Sequence, residues 1–477
     1  MKINDNVKQL VCSINSTLEE ALRCIDHNGK KVAFLTDEDG IMVGLLTDGD
    51  IRRLLLDGHG LKEEARLFAR KDFKFAKIGD NTEAITQMFD KKILIVPIID
   101  DMGKVVDYAE FNENVHVPVA QPQLNGNEYK YLMDAFLSTW ISSTGKYITR
   151  FENDFSSYCG AAFGVATSNG TTALHLALEA LGIGSGDEVI VPDLTFAATV
   201  NAVIYTGATP VIVDVEEDSW CIDPIKVEEA ITDRTKAIIP VHLYGQPCDM
   251  GKLCSIAKEN GLYIVEDCAE AHGAEWDGQK VGTFGIIGCF SFFGNKVITT
   301  GEGGMCITND EKLEKKMRVL RDHGMSKERR YYHEVVGYNY RMTNMQAAIG
   351  CAQVERIDSI LENRRKLEEL YREKLSDTNL SFQINDFPKR KKITWLVSAL
   401  IDEGDRELFF ERMKHYGIDT RSFFVPLSEM DIYKKYAKEC KVSHMLSKRG
   451  VNFPTSYEIN EAVIDKIHKA ASEIVKA

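Results

Sequence analysis

The chain has 477 residues, too many for one ordinary hydrophobic core, so two or three domains are expected. Hydrophobic residues make up 44% and charged residues 27%, as in a water-soluble globular protein, and no apolar run reaches the roughly 20 residues that span a bilayer. A formal net charge of −14 speaks against nonspecific nucleic-acid binding, which needs a basic surface, but leaves room for a local anion site.

The N-terminal MKINDNVKQLVCSINSTLEE turns polar too early for a secretory signal. The eleven cysteines include no CxxC pair, and most lie in apolar runs. They read as reduced thiols of a cytoplasmic protein, not as a disulfide or zinc framework, and no metal site is expected.

Two stretches of the first 115 residues repeat each other, one from Asn15 and one from Asp80. Thr17 and Thr82 stand at matching helix N-cap positions, each followed by acids and an amphipathic pattern. Each helix leads to a β-rich run, a turn at Gly40 or Gly103, and a second β run. Side by side, the two units can bury a sheet face that neither buries alone. The segment resembles a tandem pair of CBS domains, and Thr47 and Asp50 match that family's T-x-x-D signature. The resemblance implies a regulatory nucleotide held there. The second repeat departs from the signature, with Tyr108, Ala109, Glu110 and Phe111 in its place, so at most one nucleotide site is expected. A purely structural appendage is the alternative. Asn112 to Pro122 reads as a linker.

From Gln123 extended and helical patterns alternate. Extended runs fall at Phe163 to Thr167, Glu188 to Pro192, Pro210 to Val215, Lys236 to Val241, Tyr263 to Glu266 and Gly288 to Phe292. Helical stretches such as Thr171 to Leu181 and Met250 to Glu259 separate them. This alternation predicts an α/β fold with a mostly parallel sheet sandwiched by helices, with ligands gathered at the strands' carboxyl ends.

The chemistry concentrates between Val265 and Met305. One apolar run ends in Glu266-Asp267; another contains Ser291 and delivers Lys296 into a Gly/Thr-rich turn. An acid and a lysine so placed suit pyridoxal 5'-phosphate (PLP). The lysine can hold the cofactor as a Schiff base, and the acid can keep its pyridine nitrogen protonated. Taken singly, Asp267 reads more readily as a helix cap and Lys296 as a solvated loop residue. Ser168-Asn169-Gly170-Thr171-Thr172 follows the first strand and opens a helix, as a phosphate cradle or a simple capping box would.

The phrases EDCAEAHGA, FSFFGNKVITTGEGGM and GYNYRMTNMQAAIG resemble the DegT/DnrJ/EryC1/StrS family of sugar aminotransferases, most closely its GDP-perosamine synthase branch. The likeness runs from about Pro118 to the C-terminus. It implies PLP fold type I, with a large domain at 116–363 and a small C-terminal α/β domain at 364–477 following the CBS module at 1–115. It places the cofactor phosphate on Gly170, Thr171 and Ser291, the pyridine ring against Phe196, the pyridinium on Asp267 and the phenolic oxygen near Glu270. Two carboxylates this close are expected to raise the proton affinity of one of them. Lys296 then serves as proton shuttle; related dehydratases carry His there. Asn339 would reach the neighbouring subunit's PLP phosphate, which makes a homodimer with shared sites the working unit. Trp140, Ser142, His323 and Arg421 are implied near the sugar-nucleotide, although the family's TRPFF run reads Thr420-Arg421-Ser422-Phe423-Phe424 here. The implied reaction moves an amino group from glutamate to a nucleotide-linked 4-keto-6-deoxyhexose, GDP-4-keto-6-deoxy-D-mannose in that branch, for surface glycans such as O-antigen. UDP- and dTDP-linked sugars remain open, as does a non-catalytic nucleotide sensor with the body as scaffold.

Overall fold

The computed structural model describes residues 7–80, 85, 88, 89, 93–110, 117–326, 328–456 and 459–474. The chain divides into two compact units, Met1–Val115 and His116–Ala477.

In the first unit Thr17 caps helix α1 (Leu18–Asn28) through a reciprocal pair of hydrogen bonds with Glu20. Strand β1 (Val11–Ser13) lies parallel to β2 (Val32–Thr36), which pairs antiparallel with β3 (Met42–Thr47). Helix α2 (Asp48–Leu56) follows. The second repeat rebuilds the same pairing: β4 (Ala76–Lys77) is parallel to β5 (Ile95–Ile99), and β5 is antiparallel to β6 (Val105–Glu110). The turn glycines Gly40 and Gly103 both adopt left-handed φ, +80° and +82°, where a side chain would strain the backbone. The Met42 N–H donates to the Gly103 carbonyl at 2.9 Å, tying one repeat's hairpin to the other's. Val32, Phe34 and Met42 of one repeat pack with Val105 of the other in a single apolar cluster, the shared burial that the repeat pattern demands. The helix start expected at Thr82 and the signature position Phe111 lie outside the described residues.

The second unit is built on a seven-stranded sheet. Its strands are β7 (Phe163–Thr167), β8 (Glu188–Pro192), β9 (Thr209–Val213), β10 (Thr235–Ile238), β11 (Tyr263–Asp267), β12 (Ile287–Ser291) and β13 (Gly304–Thr308). They lie in the order β7-β13-β12-β11-β10-β8-β9. All pairings are parallel except those of β13, which runs against both β12 and β7. Residues of β8, β12 and β13 are buried throughout, as strands covered on both faces must be. Helix α3 (Gly170–Leu181) crosses one face and buries Leu174, Leu176 and Leu178. Six strands therefore end on one rim, and the loops after β7, β8, β11 and β12 converge there. Helix α4 (Ile357–Lys374) runs unbroken through residue 364 into a second, antiparallel sheet. That sheet consists of β14 (Leu380–Phe382), β15 (Val397–Ile401), β16 (Arg421–Ser422) and β17 (Gly450–Phe453), ordered β14-β15-β17-β16. All eleven cysteines are free.

Candidate active site

Asp267 is the last residue of β11 and is 5% exposed. The Thr199 hydroxyl donates to its Oδ2 at 2.8 Å and the Ala269 N–H to its Oδ1 at 3.1 Å. Burial pushes its carboxyl above the usual range, against the pull of those two donors and of the Lys296 charge. Glu270, in the loop after β11, is also buried. The Tyr244 N–H donates to its Oε2 at 2.9 Å, and its Oε1 lies 3.4 Å from Lys296 Nζ. Its carboxyl is likewise raised, chiefly by burial; repulsion from Asp267 is a smaller contribution. The expected rise is present in both acids, but desolvation rather than mutual repulsion leads it.

Lys296 follows β12 by a tight turn in which its N–H donates to the Phe293 carbonyl at 3.0 Å. Its ammonium sits 3.9 Å from the centroid of the Trp395 ring, between an indole face and the Glu270 carboxylate. The Trp395 indole N–H donates to the Asn295 carbonyl at 2.8 Å, fixing the ring against the lysine's turn. Tyr244, held at φ +53°, stacks on Trp395 and on Phe424 at centroid separations of 6.0 and 5.7 Å. Phe424 in turn meets Phe196 at 5.9 Å. Phe196 is 61% exposed on the loop after β8, an apolar ring face left open at the rim.

Asn169 caps α3 by bonding the Thr172 N–H at 2.9 Å, which leaves the first N–H groups of the helix without intrahelical partners. Gly170 opens that helix against Ser291. A Cβ at Gly170 would lie 2.7 Å from Ser291 Cβ, so only a glycine admits the approach. Ser291 Oγ receives one long bond, from the Phe293 N–H at 3.4 Å, and so keeps capacity for another partner. His272 holds the Ser291 carbonyl from behind: its Nε2 donates at 2.9 Å, and its buried Nδ1 is unpaired. Burial, helped by the Lys296 charge, pulls this imidazole down to about 3, so it is neutral.

Among the described residues no hydrogen bond, ion pair or ring contact joins the remaining expected residues to this centre. Asn339 Oδ1 accepts from Arg341 Nε at 3.1 Å, and Arg341 Nη2 lies 3.1 Å from His323 Nε2, so Asn339 and His323 share one cluster. The carbonyls of Trp140 and Ser142 both accept from Asn344, each at 2.6 Å. Arg421 is exposed in β16; from its run it is Phe424 that reaches the site. Trp395, Tyr244, Thr199 and His272 were not singled out by sequence. His272 stood inside EDCAEAHGA; the other three are brought in from far along the chain by the fold. In the first unit, Thr47 and Asp50 cap α2 reciprocally, the hydroxyl donating to Oδ2 at 2.7 Å. Asp50 Oδ1 also takes Arg53 Nη2 at 2.7 Å and Arg70 Nη2.

Ligand-type atoms of His242, Glu266 and Cys268 lie within 4.8 Å of one another. His242 and Glu266 are held in a hydrogen-bond network. His242 Nδ1 accepts the Cys248 N–H at 3.1 Å, so its other nitrogen carries the proton toward Glu266, 3.2 Å away. Glu266 accepts three further N–H groups, from Gly282, Phe284 and Gly285, at 2.7 Å each.

The centre fits PLP. It offers an amine, a buried acid, an open aromatic face, and a glycine-admitted gap between a helix N-terminus and a free hydroxyl. The profile of the DegT/DnrJ/EryC1/StrS aminotransferase family matches residues 122–472, and that of the CBS domain residues 6–57. The chain is 45% identical over 364 residues to a GDP-perosamine synthase of Caulobacter vibrioides, covering 75% of this chain and 98% of that one. It is 45% identical over 352 residues to the GDP-perosamine synthase of Escherichia coli O157:H7, covering 73% and 96%. Among solved structures it resembles S. venezuelae DesV in complex with a ketimine intermediate (33% identity, TM-score 0.69, 74% of this chain and 95% of that one). It also resembles an aminotransferase from Psychrobacter cryohalolentis (32%, TM-score 0.69, 75% and 99%). The chain belongs to the DegT/DnrJ/EryC1/StrS family of PLP-dependent aminotransferases and carries a CBS domain at its N-terminal end.

Proposed function

We propose that the protein transfers an amino group from glutamate to the keto carbon of GDP-4-keto-6-deoxy-D-mannose, giving GDP-perosamine for a surface glycan such as O-antigen. The substrate reading rests on the names of the relatives at 45% identity. The catalytic reading rests on one observation: a lysine amine poised 3.4 Å from a buried carboxylate and packed on an indole face.

When bound, the cofactor supplies an electron sink next to the reacting carbon. Gly170, Thr171 and Ser291 hold its phosphate with N–H and hydroxyl donors. Asp267, kept in place by Thr199 and Ala269, holds a proton at the pyridine nitrogen. Phe196 provides the stacking face. With the cofactor bound, Lys296 Nζ would carry a proton at the substrate carbon, and Glu270 beside it would offer a carboxyl that shares a proton readily because burial has raised it. Trp140, Ser142, His323 and Arg421 contact the sugar-nucleotide.

The enzyme works as a cytoplasmic homodimer, with Asn339 of each subunit completing the other's phosphate site. Leu137, Trp140 and Val336 are 72%, 60% and 90% exposed in the single chain, apolar side chains suited to burial against a second copy. No helix among the described residues is long and apolar enough to cross a membrane. A large domain at 116–363 and a small one at 364–477 flank the site. A nucleotide at Thr47 and Asp50 tunes turnover; deleting residues 1–115 would then abolish any nucleotide response while leaving basal turnover.

A second substrate reading has its own support, since one relative at 41% identity over 319 residues is named for a UDP-linked 3-keto sugar. Incubating the protein with glutamate, PLP and GDP-, UDP- and dTDP-linked keto sugars, and weighing the products, decides between them. Amination of the GDP sugar alone is expected; amination of only a UDP or dTDP sugar would refute the GDP assignment.

A further inference from the structure

Arg364, on α4, is the one arginine or lysine among the described residues that is buried as a whole residue, at 9% exposure. Of its five N–H donors one is used: Nη1 donates to the Trp395 carbonyl at 2.6 Å. No carboxylate of the described residues pairs with it. The other deeply placed cations are matched: Arg318 and Arg321 face Glu152 at 2.9 and 2.7 Å, and Lys392 faces Glu368 at 2.7 Å. Glu368 lies one turn along α4 from Arg364 but is already spent. Its oxygens take Arg372, Lys392 and the Thr394 hydroxyl at 2.6, 2.7 and 2.5 Å. Burial pulls the Arg364 guanidinium down to about 10, with no neighbouring acid to raise it again. A desolvated, unpaired cation is unfavourable, and an anion beside it removes the penalty.

Arg364 lines a cavity of about 250 Å³ together with Gln121, Gln123, Ser456, Leu367 and Leu370. The amide and hydroxyl groups there can add donors, and the leucines give an apolar wall. We propose that this cavity binds a small organic carboxylate, whose two oxygens meet the free edge of the Arg364 guanidinium. A guanidinium matches a carboxylate bidentately, and the apolar wall suits a short carbon chain. A phosphate dianion would bring two charges to one cation. Arg364 meets the Trp395 carbonyl whereas Lys296 meets the Trp395 ring, and Lys296 is not among the residues that line the cavity.

The test uses the PLP-loaded full chain and measures Tm in sodium propionate, sodium phosphate and sodium chloride at equal ionic strength. Propionate at ten times its Kd should raise Tm by about 2–4 °C. Gln123→Glu, which places a carboxylate of the chain itself in the cavity, should no longer respond, and neither should Arg364→Met if it folds. No rise with propionate, or an equal rise with chloride, overturns the proposal. An equal rise in Gln123→Glu would put the ligand elsewhere, for example in the catalytic cleft, and a larger rise with phosphate would show the wrong ligand class.

Discussion

The phosphate cradle makes a sharp prediction at Gly170. In Gly170→Ala the new methyl would sit 2.7 Å from Ser291 Cβ and 3.3 Å from Ser291 Cα. Carbon atoms prefer roughly 3.5–4.0 Å, so about 1 Å of overlap must be relieved. Neither Ser291 atom can swing away as a long side chain could, because both are fixed by β12. The first turn of α3 must therefore retreat, and it takes with it the N–H groups proposed to hold the phosphate. Overpacking of this kind costs about 1–3 kcal/mol. If that falls on the cradle, the Kd for PLP rises by about 5- to 150-fold. Gly184→Ala is the control, since its methyl would meet only the Thr206 carbonyl at 3.6 Å, an ordinary contact. Titrating both apoproteins with PLP and following cofactor absorbance gives the two constants. A Gly170→Ala Kd within twofold of wild type would refute the placement of the phosphate between α3 and Ser291.

His272 should contribute an acid sensitivity. Its folded imidazole stays neutral down to about 3, while the unfolded chain's protonates near the ordinary 6.5. The unfolded state therefore binds more protons in between, and stability is full above about pH 6.5 and falls by about 1.4 kcal/mol per pH unit below it. Asp267 and Glu270, whose carboxyls are raised, act with the opposite sign, so the comparison is of urea unfolding for wild type and His272→Gln at pH 7 and pH 5. The variant should show the weaker loss on acidification; an equal loss contradicts the assignment. Trp395→Leu removes the indole face and the bond to the Asn295 carbonyl, about 1.5–3 kcal/mol together. Its kcat/KM should fall about 10- to 100-fold, and a change under twofold would remove Trp395 from the account.

Much of this was legible beforehand, for physical reasons. Six of the seven strands of the main sheet follow apolar runs bounded by polar turns. The seventh, Gly304–Thr308, was missed: GMCIT is short, begins in a glycine-rich turn, and takes its place by inserting antiparallel between β7 and β12. At the site, Asp267, Glu270, Ser291 and Lys296 fall within thirty residues of one another, at strand ends where local pattern shows them. Trp395, Tyr244 and Phe424 do not. Trp395 and Phe424 arrive through packing of the second sheet against the first, Tyr244 comes from the segment after β10, and nothing in their local sequence marks a tryptophan as the lysine's neighbour. The shared core of the repeats was readable because neither repeat alone can bury its apolar sheet face. Arg364 was not, since its lack of a partner exists only once the chain has folded.

The central claim is that Lys296 Nζ is the atom that holds the cofactor. The purified protein reconstituted with PLP should show the visible absorbance of a lysine-bound cofactor, and borohydride reduction followed by peptide mass analysis should find the cofactor's mass fixed on Lys296. Lys296→Ala should keep the fold and lose both signals. The same visible band in Lys296→Ala, or the reduced adduct on another lysine, would contradict the account.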